Sequence, residues 1–213
     1  MKPLRLSLLL LVVALLTGCA TSRSVITPGL NAGQNPADGV AVRIDSVADA
    51  RRFEAAPATP DIPSVMEGEI SNASLTARAI GRKRNGYGKA MGDVVLPEGQ
   101  TVSSLVSAAL TRGLREAGYR VIAKGDAGYE QAIPVSARVD QFWAWFNPGF
   151  ASVKVSSKID VAVTGKLKPL ESGRPVSAET SESMQMVTEN DWLAIINKGL
   201  EAWVAKLKTS LRP

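Results

Sequence analysis

Histidine is absent from these 213 residues, and cysteine occurs once. Without imidazole, Ser-His-Asp and Cys-His chemistry and histidine-based zinc ligation are excluded, and a lone cysteine forms no internal disulfide. Close pairs of carboxylates beside a turn are also missing, as is any G-x-S-x-G motif. The expectation is a protein that is not an enzyme, with no metal and no dissociable cofactor. Acidic residues are in the minority: Lys plus Arg is 25 against 20 for Asp plus Glu, a formal charge of +5. Removing residues 1–18 takes away Lys2 and Arg5 and leaves +3. That mild excess suits an anionic membrane surface or cell-wall polymer and argues for no nucleic-acid partner. Hydrophobic residues at 45% and charged residues at 21% fit one buried core.

The N-terminus carries the most specific pattern. Lys2 and Arg5 precede an apolar run from Leu6 to Leu16 broken only by Ser7. A helix needs about 20 apolar residues to span a bilayer, so this shorter run reads as an export signal. Its end, Leu16-Thr17-Gly18-Cys19, resembles the lipobox of bacterial lipoproteins. The resemblance implies cleavage before Cys19 and a diacylglyceryl thioether on it, a covalent lipid. Two or three acyl chains anchor durably, because burial contributes about 0.8 kcal/mol per methylene. Ala20 stands where inner-membrane lipoproteins carry Asp, which implies the periplasmic face of an outer membrane in a Gram-negative cell.

The domain expectation is a signal peptide at 1–18, a lipidated start and flexible tether at 19–39, and a single α+β periplasmic domain at 40–213. Residues 20–39 are rich in small, polar, Gly and Pro residues, as a leash would be. A first strand is expected at 40–44. Pro57, Pro60 and Pro63 mark an extended loop. Val102, Leu105, Val106, Ala109, Leu110, Leu114 and Ala117 recur at helical spacing, with Thr101 as N-cap and Gly118 past the end. Strands follow at 119–123 and at about 131–145, 151–167 and 174–187. A second amphipathic helix runs over about 191–211, with Thr188 and Asp191 as a cap. The expected fold is an antiparallel sheet of about four to five strands on two amphipathic helices.

Two segments stand out as surface candidates. The first, Arg78 to Gly92, gathers Arg82, Lys83, Arg84 and Lys89 among glycines, with Tyr87 between two of them. Walker spacing fails, because position 83 is Lys and position 90 is Ala. The segment reads as a basic loop or hairpin meeting lipid headgroups, glycan or an acidic protein face, or as a solvated connection. The second is Phe142-Trp143-Ala144-Trp145-Phe146, whose period of two puts Trp143 and Trp145 on one face. That face is a partner surface if open, or packing surface if an element such as the helix bearing Trp192 and Trp203 covers it. Asp45, Asp49 and Arg51 read as a cap or salt bridge.

The lipobox, the Asp45…Asp49-Ala50-Arg51 strand end, the passage Leu110-Thr111-Arg112-Gly113-Leu114-Arg115-Glu116-Ala117-Gly118-Tyr119-Arg120-Val121 and the C-terminal helix together resemble the YajG-type bacterial outer-membrane lipoproteins. The resemblance brings no catalytic residue. It implies a membrane-anchored, non-enzymatic binding or assembly module that contacts another envelope protein or anionic component. The alternative is an auxiliary lipoprotein subunit of an ABC-type envelope transport system.

Overall fold

The computed structural model describes residues 23–85, 87–149 and 152–211. Leu16, Thr17, Gly18, Cys19 and Ala20 lie outside the described residues. In chain order the strands are β1 (Ser24–Val25), β2 (Ala41–Asp49), β3 (Ala79–Arg84), β4 (Ala90–Val95), β5 (Arg120–Val121), β6 (Ile133–Pro148), β7 (Val153–Gly165) and β8 (Arg174–Met184). The helices are α1 (Ala73–Thr76), α2 (Val102–Glu116) and α3 (Glu189–Leu211), with a 3₁₀ turn at Lys168–Leu170.

The expected sheet is corrected. Among the described residues there are eight strands in one mixed sheet and three α-helices, not four to five antiparallel strands on two helices. The antiparallel parts are the run β6-β7-β8 and the β3–β4 hairpin. On its other edge the long strand β6 pairs in parallel with β2 along its first half, Val42↔Ile133 to Asp49↔Val139, and with β3 further on, at Gly81↔Ala144. β5 extends the sheet beside β2, while β4 and β1 extend it beside β3. Two of the unforeseen or shortened strands, β1 and β5, span only two residues each, too few for any period to register.

Between those two half-sheets the backbone ladder is split, and Arg51 fills the gap. Its side chain is fully buried. Nε and one Nη donate to the Asp49 carboxylate at 2.8 and 2.7 Å. The remaining donors reach the carbonyls of Ala79 at 2.6 Å, Phe142 at 3.2 Å and Thr76 at 2.8 Å. The fork geometry of guanidinium lets one residue bridge β2, β3, β6 and α1.

Both long helices lie on one sheet face, because their sequence periods give each an apolar stripe. Val102, Leu105, Val106, Ala109, Leu110 and Leu114 of α2 are buried, as are Ile195, Ile196, Leu200, Trp203, Val204 and Leu207 of α3. Full burial of each Val, Leu or Ile among them contributes about 1.5–3 kcal/mol. Thr101 caps α2 in a reciprocal box with Ser104, and Asp191 accepts from both the N–H and hydroxyl of Thr188. The helices approach closely at glycine: a Cβ on Gly113 would lie 2.6 Å from Leu207 Cδ2, and one on Gly199 would lie 2.5 Å from Ser157 Oγ.

Residues 23–39 are docked on the domain, which limits the expected tether. Ser24 and Val25 pair with Val94 and Val95 of β4, and the Ile26 N–H donates to the Val95 carbonyl at 3.0 Å. Ile26 is buried in the main core, and Leu30 packs against it. Asn35 exchanges two hydrogen bonds with the Val121 backbone, at 2.8 and 2.9 Å. Apolar and hydrogen-bonding partners sixty or more residues away hold a segment whose own composition is that of a linker.

Candidate functional site

The basic segment is a hairpin. Asn85 builds its turn: its side-chain oxygen accepts from the N–H groups of Tyr87 and Lys89, both at 3.0 Å, and its carbonyl accepts from Gly88 at 2.9 Å. Gly88 takes a φ of 80°, which a side chain would resist. Tyr87 at the tip is 98% exposed, and Lys89 beside it is exposed.

The three cations of β3 have different fates. Arg82 is buried, so its assignment to a contact surface is corrected. Alternation and pairing place it opposite Asp93, with Nη1 3.7 Å from Asp93 Oδ1. Asp93 is itself completely buried and accepts from Arg23 Nε at 3.4 Å. Arg23 also binds the Glu69 carboxylate. Arg84 donates to the Gly88 carbonyl at 3.0 Å and to Ser64 Oγ at 3.3 Å. Burial, helped by the neighbouring Arg82 charge, lowers the Arg84 pKa. Lys83 faces the hollow described next.

Burial pushes the Asp93 carboxyl above its usual range, against the opposing pull of Arg82, a Met66 backbone hydrogen bond and Arg23. A carboxyl with a raised folded pKa binds its proton more tightly in the fold. Its contribution to stability is fully present below the unfolded value and is lost as pH rises through the folded one. Glu116, lowered chiefly by its bond from Arg112, and Asp191, lowered by Thr188, act with the opposite sign at lower pH. Asp93→Asn leaves those two groups in place, so they cancel in a comparison. We expect the urea midpoint of the parent to fall relative to Asp93→Asn as pH rises from acid to neutral. Parallel profiles would refute this titration.

Beside the hairpin lies a cleft of about 470 Å³. Met91, Phe146, Val153 and Trp192 give it an apolar lining, and Lys83 and Arg84 stand at its edge. Phe146 and Trp192 meet edge to face with centroids 6.2 Å apart. Met186, 73% exposed, forms a lip, and Glu189 is the acidic member, already bonded by the Ser24 hydroxyl. A smaller hollow of about 270 Å³ lies between residues 57–60 and the end of β6, with Arg84 lining both spaces.

Trp143 and Trp145 are buried, and the reading of them as a partner surface is corrected. They face away from the long helices and form a second core with Val65, Leu75, Ala79 and Val95. The cover is the proline-rich segment, not the helix bearing Trp192 and Trp203. Trp143 Nε1 donates to the Pro60 carbonyl at 3.2 Å, and Phe53 meets its ring edge-on at 5.9 Å. The hairpin therefore brings together Lys83, Arg84, Tyr87 and Lys89, leaving Arg82, Trp143 and Trp145 inside. The convergence of Met91, Phe146, Met186 and Trp192 on one cleft is not legible in the sequence, because residues scattered over a hundred positions share no local signal.

No protein-family model matches the chain, and no curated protein matches it. A solved structure described as "Crystal structure of uncharacterized protein" is similar at a TM-score of 0.40 and 7% identity, over 90% of this chain and 99% of that one. That likeness assigns neither family nor function. Among the described residues no helix is long and apolar enough to cross a membrane.

Proposed function

We propose that the protein is a lipid-anchored lipoprotein of the bacterial envelope, of the YajG-like kind, acting as a non-enzymatic binding module on the periplasmic face of the outer membrane. The observation that carries the reading is Leu16-Thr17-Gly18-Cys19 directly behind a charged, short apolar leader. The cation-edged apolar cleft supports a binding role, since such a hollow suits a ligand or partner with both an apolar and an anionic part. The hairpin tip, with Tyr87 exposed beside Lys89, widens that surface.

Mass spectrometry of protein isolated from native membranes tests the anchor. The expected first residue is Cys19, heavier by a diacylglyceryl group and an amide-linked acyl chain. An unprocessed start or a bare thiol would end the reading. Cross-linking in cells followed by detergent co-purification tests the role. Stable recovery of ABC-transporter subunits would replace the binding-module reading with that of a transport auxiliary.

A further inference from the structure

We infer that the hairpin end of the domain is the face that seats on the anchoring bilayer, and that its occupant is an anionic phospholipid surface. The inference rests on the lipoprotein reading and deepens it. Its first support is the direction of the N-terminal strand. β1 runs parallel to β4, with Ser24 beside Val94, and β4 starts at the hairpin turn. The N-terminal end of β1, at Arg23, therefore points toward the hairpin turn.

The docked segment makes that direction binding. The Arg23 contacts to Asp93 and Glu69, the Ser24 bond to Glu189 and the burial of Ile26 fix the exit point on the domain. Cys19 precedes Arg23 by four residues. At about 3.3–3.6 Å per residue, that allows at most roughly 14 Å of reach. β4 needs about the same span to run from Asp93 back to the turn at Lys89. A lipid on Cys19 thus holds the hairpin end at the height of the headgroups, and the leash is too short to present the opposite end.

The chemistry of this end fits that position. The two most exposed of the large apolar side chains among the described residues, Tyr87 and Met186, both lie here. Lys83 and Arg84 edge the cleft, Lys89 sits at the tip, and Lys154 is exposed near the start of β7. Glu189, already holding Ser24, is the carboxylate lining the cleft. Exposed apolar side chains with cations beside them match an interface where acyl chains lie behind anionic headgroups.

Cys19 is the single cysteine, and the lipid would occupy its thiol. A cysteine introduced by Tyr87→Cys, Met186→Cys or Glu171→Cys therefore takes a fluorescent label alone. Glu171 is exposed in the β7–β8 connection, at the opposite end of the sheet. The lipidated full chain carrying each label is reconstituted in vesicles of phosphatidylglycerol with brominated acyl chains. Labels at 87 and 186 should be quenched several-fold more strongly than one at 171. Charge reversal by Lys89→Glu with Lys154→Glu should weaken that quenching in phosphatidylglycerol and leave it little changed in phosphatidylcholine. Equal quenching at all three sites, with Cys19 shown to be lipidated, would overturn the seating and leave the anchor standing. An unmodified Cys19 would overturn both.

Discussion

Replacing Arg51 by methionine is expected to destabilise the fold by about 3–5 kcal/mol, the cost of removing one partner of a buried ionic network. Methionine keeps much of the apolar stem but supplies none of the donors. The buried carbonyls of Ala79 and Phe142 and the half-buried carbonyl of Thr76 then lose a partner, and Asp49 loses both of its charged bonds. A buried group left unpaired costs about 1–3 kcal/mol by itself. Lysine is no remedy, because three donors on a compact ammonium cannot span a carboxylate and three carbonyls on separate elements. The position matters because β3 and β6 share only the Gly81↔Ala144 bridge, so the guanidinium carries the join between the two half-sheets. Urea unfolding of Arg51→Met and Arg51→Lys checks this, and a loss below about 1 kcal/mol would remove Arg51 from that role.

Trp143→Ala is expected to cost about 3–5 kcal/mol, the range for emptying a large buried aromatic site. The ring is fully buried, packs edge-on against Phe53 and anchors the proline-rich segment through the Pro60 carbonyl. Its loss should free residues 54–65 as well as lower the unfolding midpoint. Hydrogen exchange would report faster amides in that segment, and limited proteolysis would report a new cut there. Trp143→Phe separates the terms: it keeps most of the packing and loses the indole bond, so its cost should be the smaller. Equal losses for the two variants would place the energy in the hydrogen bond instead of the packing.

Residues 24–29 are bonded to α3. Ser24 bonds Glu189 at the start of α3, and the Gly29 N–H donates to Asn197 further along it at 3.2 Å. A segment that would carry the lipid is thus part of the packed domain. In the proposed setting, this limits how far the hairpin end can stand from the anchor.

The long elements were legible because each carries many copies of one period. The stripe Val102 to Leu114 predicts a helix, and the structure has one over 102–116. Alternation in 151–167 predicts the strand now seen at 153–165, and the Trp192 to Leu211 stripe predicts α3. Asp45, Asp49 and Arg51 read locally as a cap or salt bridge; the structure pairs Asp49 with Arg51, and the three carbonyl partners of Arg51 come from remote elements. Arg82 misled for a related reason. A cation among glycines reads as solvated, and only pairing with β4 puts Asp93 opposite it. Alternation likewise separated the tryptophans of β6 from its phenylalanines correctly, but could not say what lay over each face.

The sequence by itself determined the two apolar helix stripes and the long alternating strands, because each is a property of neighbouring residues, and it alone carries the lipobox-like pattern on which the proposed anchor rests. Tertiary structure alone decided the parallel pairings around β6, the burial of Arg82, Trp143 and Trp145, the docking of residues 23–39 and the cleft beside the hairpin. Each of these depends on which distant backbone edge or side chain fills the space opposite. A local period specifies which face is apolar, but the energy of that face is settled by the partner it meets.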